Sequence, residues 1–176
     1  RAQTPEKGKS AAPDKALEQR GEFLVRVGGC NDCHTPMKMG ANGPEPDMSR
    51  MLSGHPEQLK MPAPPKLPEG PWTIVVGMTM PAFAGPFGVS YASNLTPDEN
   101  TGIGSWSEET FVGALRTGRH MGVSRPILPP MPWGAFKNLT DDDLKAIYAY
   151  LRTIAPVHNR VPEPLPPAAA VADGGR

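Results

Sequence analysis

Cys30, Asn31, Asp32, Cys33 and His34 form a Cys-x-x-Cys-His run that holds both cysteines of the chain. Thiols three positions apart can each bond one vinyl group of a haem, and the adjacent imidazole can then take one axial position of the iron. Other readings of the run fit less well. A structural zinc site needs four protein ligands, and there is no second Cys pair, while His55, His120 and His158 are too scattered to complete a finger. A thioredoxin-like dithiol would sit between a strand and a helix, a pattern the flanking residues do not show. A disulfide between Cys30 and Cys33 stays open, although it leaves the adjacent histidine unexplained.

The elements that must position this run are legible in part. Leu17, Gly21, Leu24, Val25 and Gly28 recur at helical spacing, with Pro13 or Asp14 near the start, and predict a helix running into Cys30. Gly21 and Gly28 lie on one face, which suits a close approach by another helix or by the haem, unless Gly28-Gly29 simply ends the helix. A second helix begins at Ser107 as cap, with Trp106 placed to pack on Phe111 and Glu108 and Glu109 in the first turn. Phe111, Val112 and Leu115 form its inner stripe and Gly118 stops it. A third starts at Thr140 with Leu139 before it and three aspartates after it, and Leu144, Ile147, Tyr148 and Leu151 line its core face.

Between the run and the second helix, residues 35–104 form a long insertion. Its first half, with Pro44, Pro46, Pro62, Pro64 and Pro65, reads as too proline-rich for regular structure. In the second half, residues 73–76 and 88–92 could pair as a short two-stranded ribbon. A connection this long is uncommon in a compact domain and reads as a cover over the haem edge or a docking surface.

Composition narrows the function. With 23 Pro and 19 Gly much of the chain lies outside helix and sheet, and 18 basic against 18 acidic residues give no sign of a nucleic-acid surface or a polybasic membrane patch. The most apolar stretch, residues 72–89, is broken by Gly77, Pro81, Gly85 and Pro86 and cannot span a bilayer as a helix. The start at Arg1, without an initiator Met or an apolar leader, suggests a processed form, from which an export signal or anchor could have been removed. Residues 1–13 read as a flexible lead, 14–160 as the domain and 161–176 as a Pro/Ala-rich tail that is free or wraps a partner. Asp98, Asn100 and Glu109 resemble a calcium loop only loosely, since Ile103 stands where that loop needs Gly. Asn94 and Asn138 match the glycosylation pattern, but Thr140 is already occupied as a cap.

Helix order and motif order resemble the class I cytochrome c domain. The run follows an N-terminal helix, and a middle helix, a Met-containing loop and a C-terminal helix ending in Tyr148-Ala149-Tyr150-Leu151 come after it. More narrowly, Arg20-Gly21-Glu22-Phe23-Leu24, Asn94-Leu95-Thr96-Pro97-Asp98, Thr101-Gly102-Ile103-Gly104 and Pro130-Met131-Pro132-Trp133 are similar to bacterial exported cytochromes c, including cytochrome subunits of membrane-associated dehydrogenases. The resemblance covers about residues 14–164. It implies a mainly α fold with three core helices around one covalent haem c, thioether bonds at Cys30 and Cys33, and a location in the periplasm or on the outer face of the cytoplasmic membrane. The expected partners are redox proteins: a dehydrogenase, an oxidase or a membrane oxidoreductase complex.

The second axial ligand is expected to be Met131, because in the class it comes from the loop before the last helix, and Pro129, Pro130 and Pro132 would stiffen that loop. Met121, Met80 and Met78 are alternatives in falling order, and His120 would serve a bis-histidine site. Arg116, Arg119 and Trp133 are candidates for the haem propionates, since a buried carboxylate needs donors. These features together imply single-electron transfer with no substrate bond made or broken. The competing readings are a haem enzyme or gas sensor with an open distal position, which lacks a persuasive distal histidine with an acid-base partner, and a subunit whose main role is assembly within a larger complex.

Overall fold

The structure is a computed structural model that describes residues 14–66, 70–71 and 73–167. The expected flexible lead at 1–13 and the end of the tail lie outside these residues. The chain order is α1 (Lys15–Val27), α2 (Cys30–His34), β1 (Met37–Gly40), β2 (Gly43–Pro46), β3 (Val75–Val76), β4 (Ala82–Gly85), β5 (Gly88–Tyr91), α3 (Glu108–Thr117), α4 (Trp133–Phe136) and α5 (Asp141–Leu151). Single 3-10 turns stand at Met48–Arg50 and His120–Gly122.

Local signals set the helix ends. The Asp14 carboxylate accepts from the Ala16 and Leu17 amides, Ser107 Oγ from Thr110 N–H and Thr140 Oγ1 from Asp143 N–H, each meeting an otherwise orphaned donor of a first turn. α3 stops at Gly118, whose φ of 66° is left-handed. α1 does not run into Cys30 as expected. It ends at Val27, and Gly29, at a left-handed φ of 66°, breaks the helical run before α2 begins at Cys30.

Leu24 and Val25 of α1, Phe111 and Leu115 of α3, and Leu144, Ala146, Ile147 and Leu151 of α5 form one buried cluster with Leu52 and Ile103. Full burial of such side chains stabilises by roughly 1.5–3 kcal/mol each. α1 and α5 meet at Gly21, where an added Cβ would overlap the Ala146 carbonyl and stand 2.8 Å from Tyr150 Cβ. Both glycines of that face are closely approached, Gly21 by α5 and Gly28 by Phe136 of α4, where an added Cβ would stand 2.9 Å from the ring.

Two expectations for the insertion need correction. Its proline-rich first half contains a hairpin, with Met37 opposite Pro46, Lys38 opposite Glu45 and Met39 opposite Pro44. Asp47 N–H donates to the Pro36 carbonyl at 2.8 Å, so the alternation of an antiparallel ladder leaves Pro44 and Pro46 at positions whose nitrogens face outward. Two prolines two residues apart can thus sit in one edge strand. The ribbon of the second half has three strands, in the order β3-β4-β5, because β4 lies between the two expected segments. β4 was hidden because Ala82, Phe83 and Ala84 are all buried and show no alternation, and because Pro81 and Pro86 flank the strand without entering it.

Val89 and Leu165 exchange both backbone hydrogen bonds at 2.9 Å, which fastens residues 161–167 to β5. Among the described residues no helix is long and apolar enough to cross a membrane.

Candidate haem site

α2 presents Cys30, Cys33 and His34 to a cavity of about 570 Å³. Its apolar walls include Phe83 of β4, Ile103 of the insertion, Phe111 and Leu115 of α3, and Phe136 of α4. Residues 90–95 and 99–103 of the insertion also line it, so the long segment builds one wall of the site.

The His34 ring is buried, and its Nδ1–H donates to the Ser93 carbonyl oxygen at 2.7 Å. That hydrogen bond selects the tautomer in which Nε2 keeps its lone pair, the form a metal requires. Burial pushes the imidazole pKa below its ordinary value, opposed by the bond to Ser93, so the ring is neutral. The segment after β5 that carries Ser93 is held from behind by its neighbour Asn94. The Asn94 side-chain amide donates to the Val157 carbonyl at 2.8 Å, and its oxygen accepts from Thr96 N–H and Oγ1 at 3.0 and 2.7 Å.

Both cysteines are free thiols. Burial pushes Cys30 up to about 11 and raises Cys33 as well, with Asp32 adding to the shift of each. A redox dithiol needs a lowered pKa to attack as thiolate, so these electrostatics run against that chemistry. Two protonated thiols, a neutral imidazole with Nε2 available and apolar walls form a donor set and a cradle that fit a covalently attached haem.

Met131 lines the same cavity as His34. Its loop is tethered to the sheet, because Ser90 Oγ of β5 donates to the Pro129 carbonyl at 2.7 Å. His120 and Met121 also reach the cavity, whereas Met78, 82% exposed, and Met80 do not. His120 stacks edge-on against Trp106 with ring centroids 5.1 Å apart.

Arg116, Arg119 and Trp133 are not brought to the cavity. Arg116 pairs with Asp141 at 2.5 Å and donates to the Lys137 carbonyl, joining α3 to the start of α5. Arg119 donates to the Ser124 carbonyl at 2.8 Å. The Trp133 indole occupies the space a Gly118 side chain would otherwise take, and Lys137 lies over its ring at 5.6 Å. In their place Arg125 and Arg160 line the cavity. Neither carries a periodicity or motif signal, and Arg160 stands at the expected end of the domain. Tyr91 and Asn94 also line it; the sequence pointed to that segment only through the Asn94-Leu95-Thr96-Pro97-Asp98 match and the reading of the insertion as a cover, and to neither side chain as a lining residue.

No family model matches the chain. Among curated proteins, it is 31% identical over 154 residues to the cytochrome c subunit of a quinone alcohol dehydrogenase of Gluconobacter oxydans, covering 85% of this chain and 24% of that one. It is 32% identical over 143 residues to the gluconate 2-dehydrogenase cytochrome c subunit of Pantoea cypripedii, covering 81% and 24%. It is also 43% identical over 77 residues to a nicotinate dehydrogenase subunit of Pseudomonas putida, covering 44% and 6%. Taken with the site, these similarities place the chain among the c-type cytochromes. Within them it is of the kind found as cytochrome c subunits of dehydrogenases. The chain spans about a quarter or less of the length of these relatives.

Proposed function

We propose that the chain carries one haem c, bonded through Cys30 and Cys33, with His34 and Met131 as axial ligands, and that it transfers single electrons within a dehydrogenase complex. A haem bound there supplies an iron that cycles between Fe(II) and Fe(III). The chain's own residues determine how it does so. Ser93 orients His34 and raises its basicity, the Ser90 tether holds the Met131 loop, and the apolar walls limit water and disfavour the more highly charged oxidised iron. Helices α1, α3 and α5 would then be the three core helices of a class I cytochrome c fold.

The observation that carries the reading is the buried His34 imidazole, its tautomer set by Ser93, in one cavity with both cysteines and Met131. The two cysteines of the chain, both within one run, support a single covalent haem on it. Similarity to the cytochrome subunits supports a redox partner such as a dehydrogenase or a membrane oxidoreductase complex, and makes electron transfer rather than bond chemistry the role of this chain. Because haem c attachment in bacteria is completed outside the cytoplasm, the site of action is the periplasm or the outer face of the cytoplasmic membrane.

A redox-titrated optical spectrum of the protein, made in a host that attaches haem c, tests this. The expected result is one haem per chain, a single one-electron step and a low-spin, six-coordinate spectrum in both states. Rapid carbon monoxide binding by the reduced protein at neutral pH would replace it with an open-site haem protein.

A further inference from the structure

The haem carboxylates need partners, and the residues that the sequence suggested for them are engaged elsewhere. Among the described residues, the permanently charged cations lining the cavity are Arg125 and Arg160. They belong to one wall. Arg125 Nε donates to Glu163 Oε2 at 3.1 Å, and Glu163 lies in the same short segment as Arg160. That segment is fixed at both ends, by Arg160 N–H donating to Glu57 Oε2 at 2.6 Å and by the Val89–Leu165 hydrogen bonds.

The distribution of charge then selects where an anion can lie. Asp32, beside the cysteines, and Glu99 are the other charged residues of the lining apart from Glu163, and both would repel a carboxylate. A haem anchored through its vinyl groups carries its two propionates on the opposite edge of the macrocycle. Carboxylates leaving water need charged donors, and a guanidinium supplies two parallel N–H groups to each. Building on the covalent-haem reading given above, we propose that Arg125 and Arg160 are the positioning residues that receive the two propionates, with Glu163 competing for Arg125.

Midpoint potentials measured on haem-loaded single variants test this. Arg160 is exposed, and its guanidinium makes no salt bridge among the described residues, so its replacement leaves the core intact. Arg160→Gln and Arg125→Gln each remove a positive charge that favours reduced iron. Each should lower the Fe(II)/Fe(III) ratio at fixed potential by about threefold to tenfold, tenfold being about 59 mV for one electron. Arg160→Lys should recover most of the loss, Glu163→Gln should raise the ratio, and Arg119→Gln should leave it unchanged. Unchanged potentials in both glutamine variants, or an equal drop in Arg119→Gln, would overturn the assignment while leaving the haem reading intact. A wild-type protein without covalent haem would overturn both.

Discussion

Gly21 and Ala146 are 125 positions apart in numbering, yet α1 and α5 meet there with no room for a side chain on Gly21 beside the Ala146 carbonyl. Two opposed effects meet at this position. Replacing a mid-helix glycine by alanine favours the helix by about 1 kcal/mol, whereas overpacking a contact that is backbone on one side costs roughly 1–3 kcal/mol or more. Steric overlap with a carbonyl cannot be relieved by a rotamer change, so it should win. Gly21→Ala is expected to lower stability by about 1–3 kcal/mol in thermal or denaturant unfolding, and a stabilised variant would show that the helices can move apart.

Met131 and Met121 both line the cavity, but only the Met131 loop is pinned to β5 through Ser90. Met131→Ala should abolish the sulfur-to-iron charge-transfer band of the oxidised protein. It should also lower the potential by an appreciable part of the ~0.8 V range that axial ligation spans. Met121→Ala and His120→Gln should keep the band. Its loss in Met121→Ala alone would reassign the ligand.

His55 lies fully buried, with Nε2–H donating to the Leu59 carbonyl at 2.9 Å and its ring 4.8 Å from that of Tyr91. Burial lowers its pKa from the ordinary 6.5, and Arg50 and Lys60 add to the shift against the opposing Leu59 bond. The unfolded chain therefore binds the proton first as pH falls, and stability drops from about pH 6.5 downward until the folded-state pKa is reached. The slope from this one group is at most about 1.4 kcal/mol per pH unit. Asp47, Asp98, Asp141 and Asp143, all shifted down, add their loss only at lower pH, as they begin to protonate. In urea unfolding between pH 7 and 5, His55→Gln should show a shallower slope than wild type. An equal slope would mean that the proton goes elsewhere.

Asn159 uses its whole side chain. Oδ1 accepts from Arg50 and from Glu57 N–H at 2.8 and 3.0 Å, and Nδ2 donates to the Ser53 and His55 carbonyls at 2.7 and 2.8 Å. Removing it leaves buried groups unpaired, at about 1–3 kcal/mol for each that water cannot reach. Asn159→Ala should cost about 2–4 kcal/mol in denaturant unfolding, and a loss below about 1 kcal/mol would show that solvent enters and replaces these bonds.

Much of the site was legible in local residue order. The Cys30-x-x-Cys33-His34 run, the caps at Ser107 and Thr140 and the apolar stripes of α3 and α5 are short-range patterns, and short-range physics decides them. β4 escaped because a strand buried on both faces shows no alternation. The β1–β2 hairpin escaped because ladder parity, which makes Pro44 and Pro46 harmless, depends on a partner strand.

By itself, the sequence determined a Cys-x-x-Cys-His run, three helices and the starts of the last two, and a methionine loop before the last helix. Tertiary structure decided the rest: that Ser93 orients His34, that residues 161–167 close onto β5, and that Arg125 and Arg160, rather than Arg116 and Arg119, line the cavity. The physical reason is one of range. Caps and helical stripes follow from neighbours within a few residues, whereas the groups that meet an imidazole or a carboxylate in a cavity are set by which distant segments pack against one another.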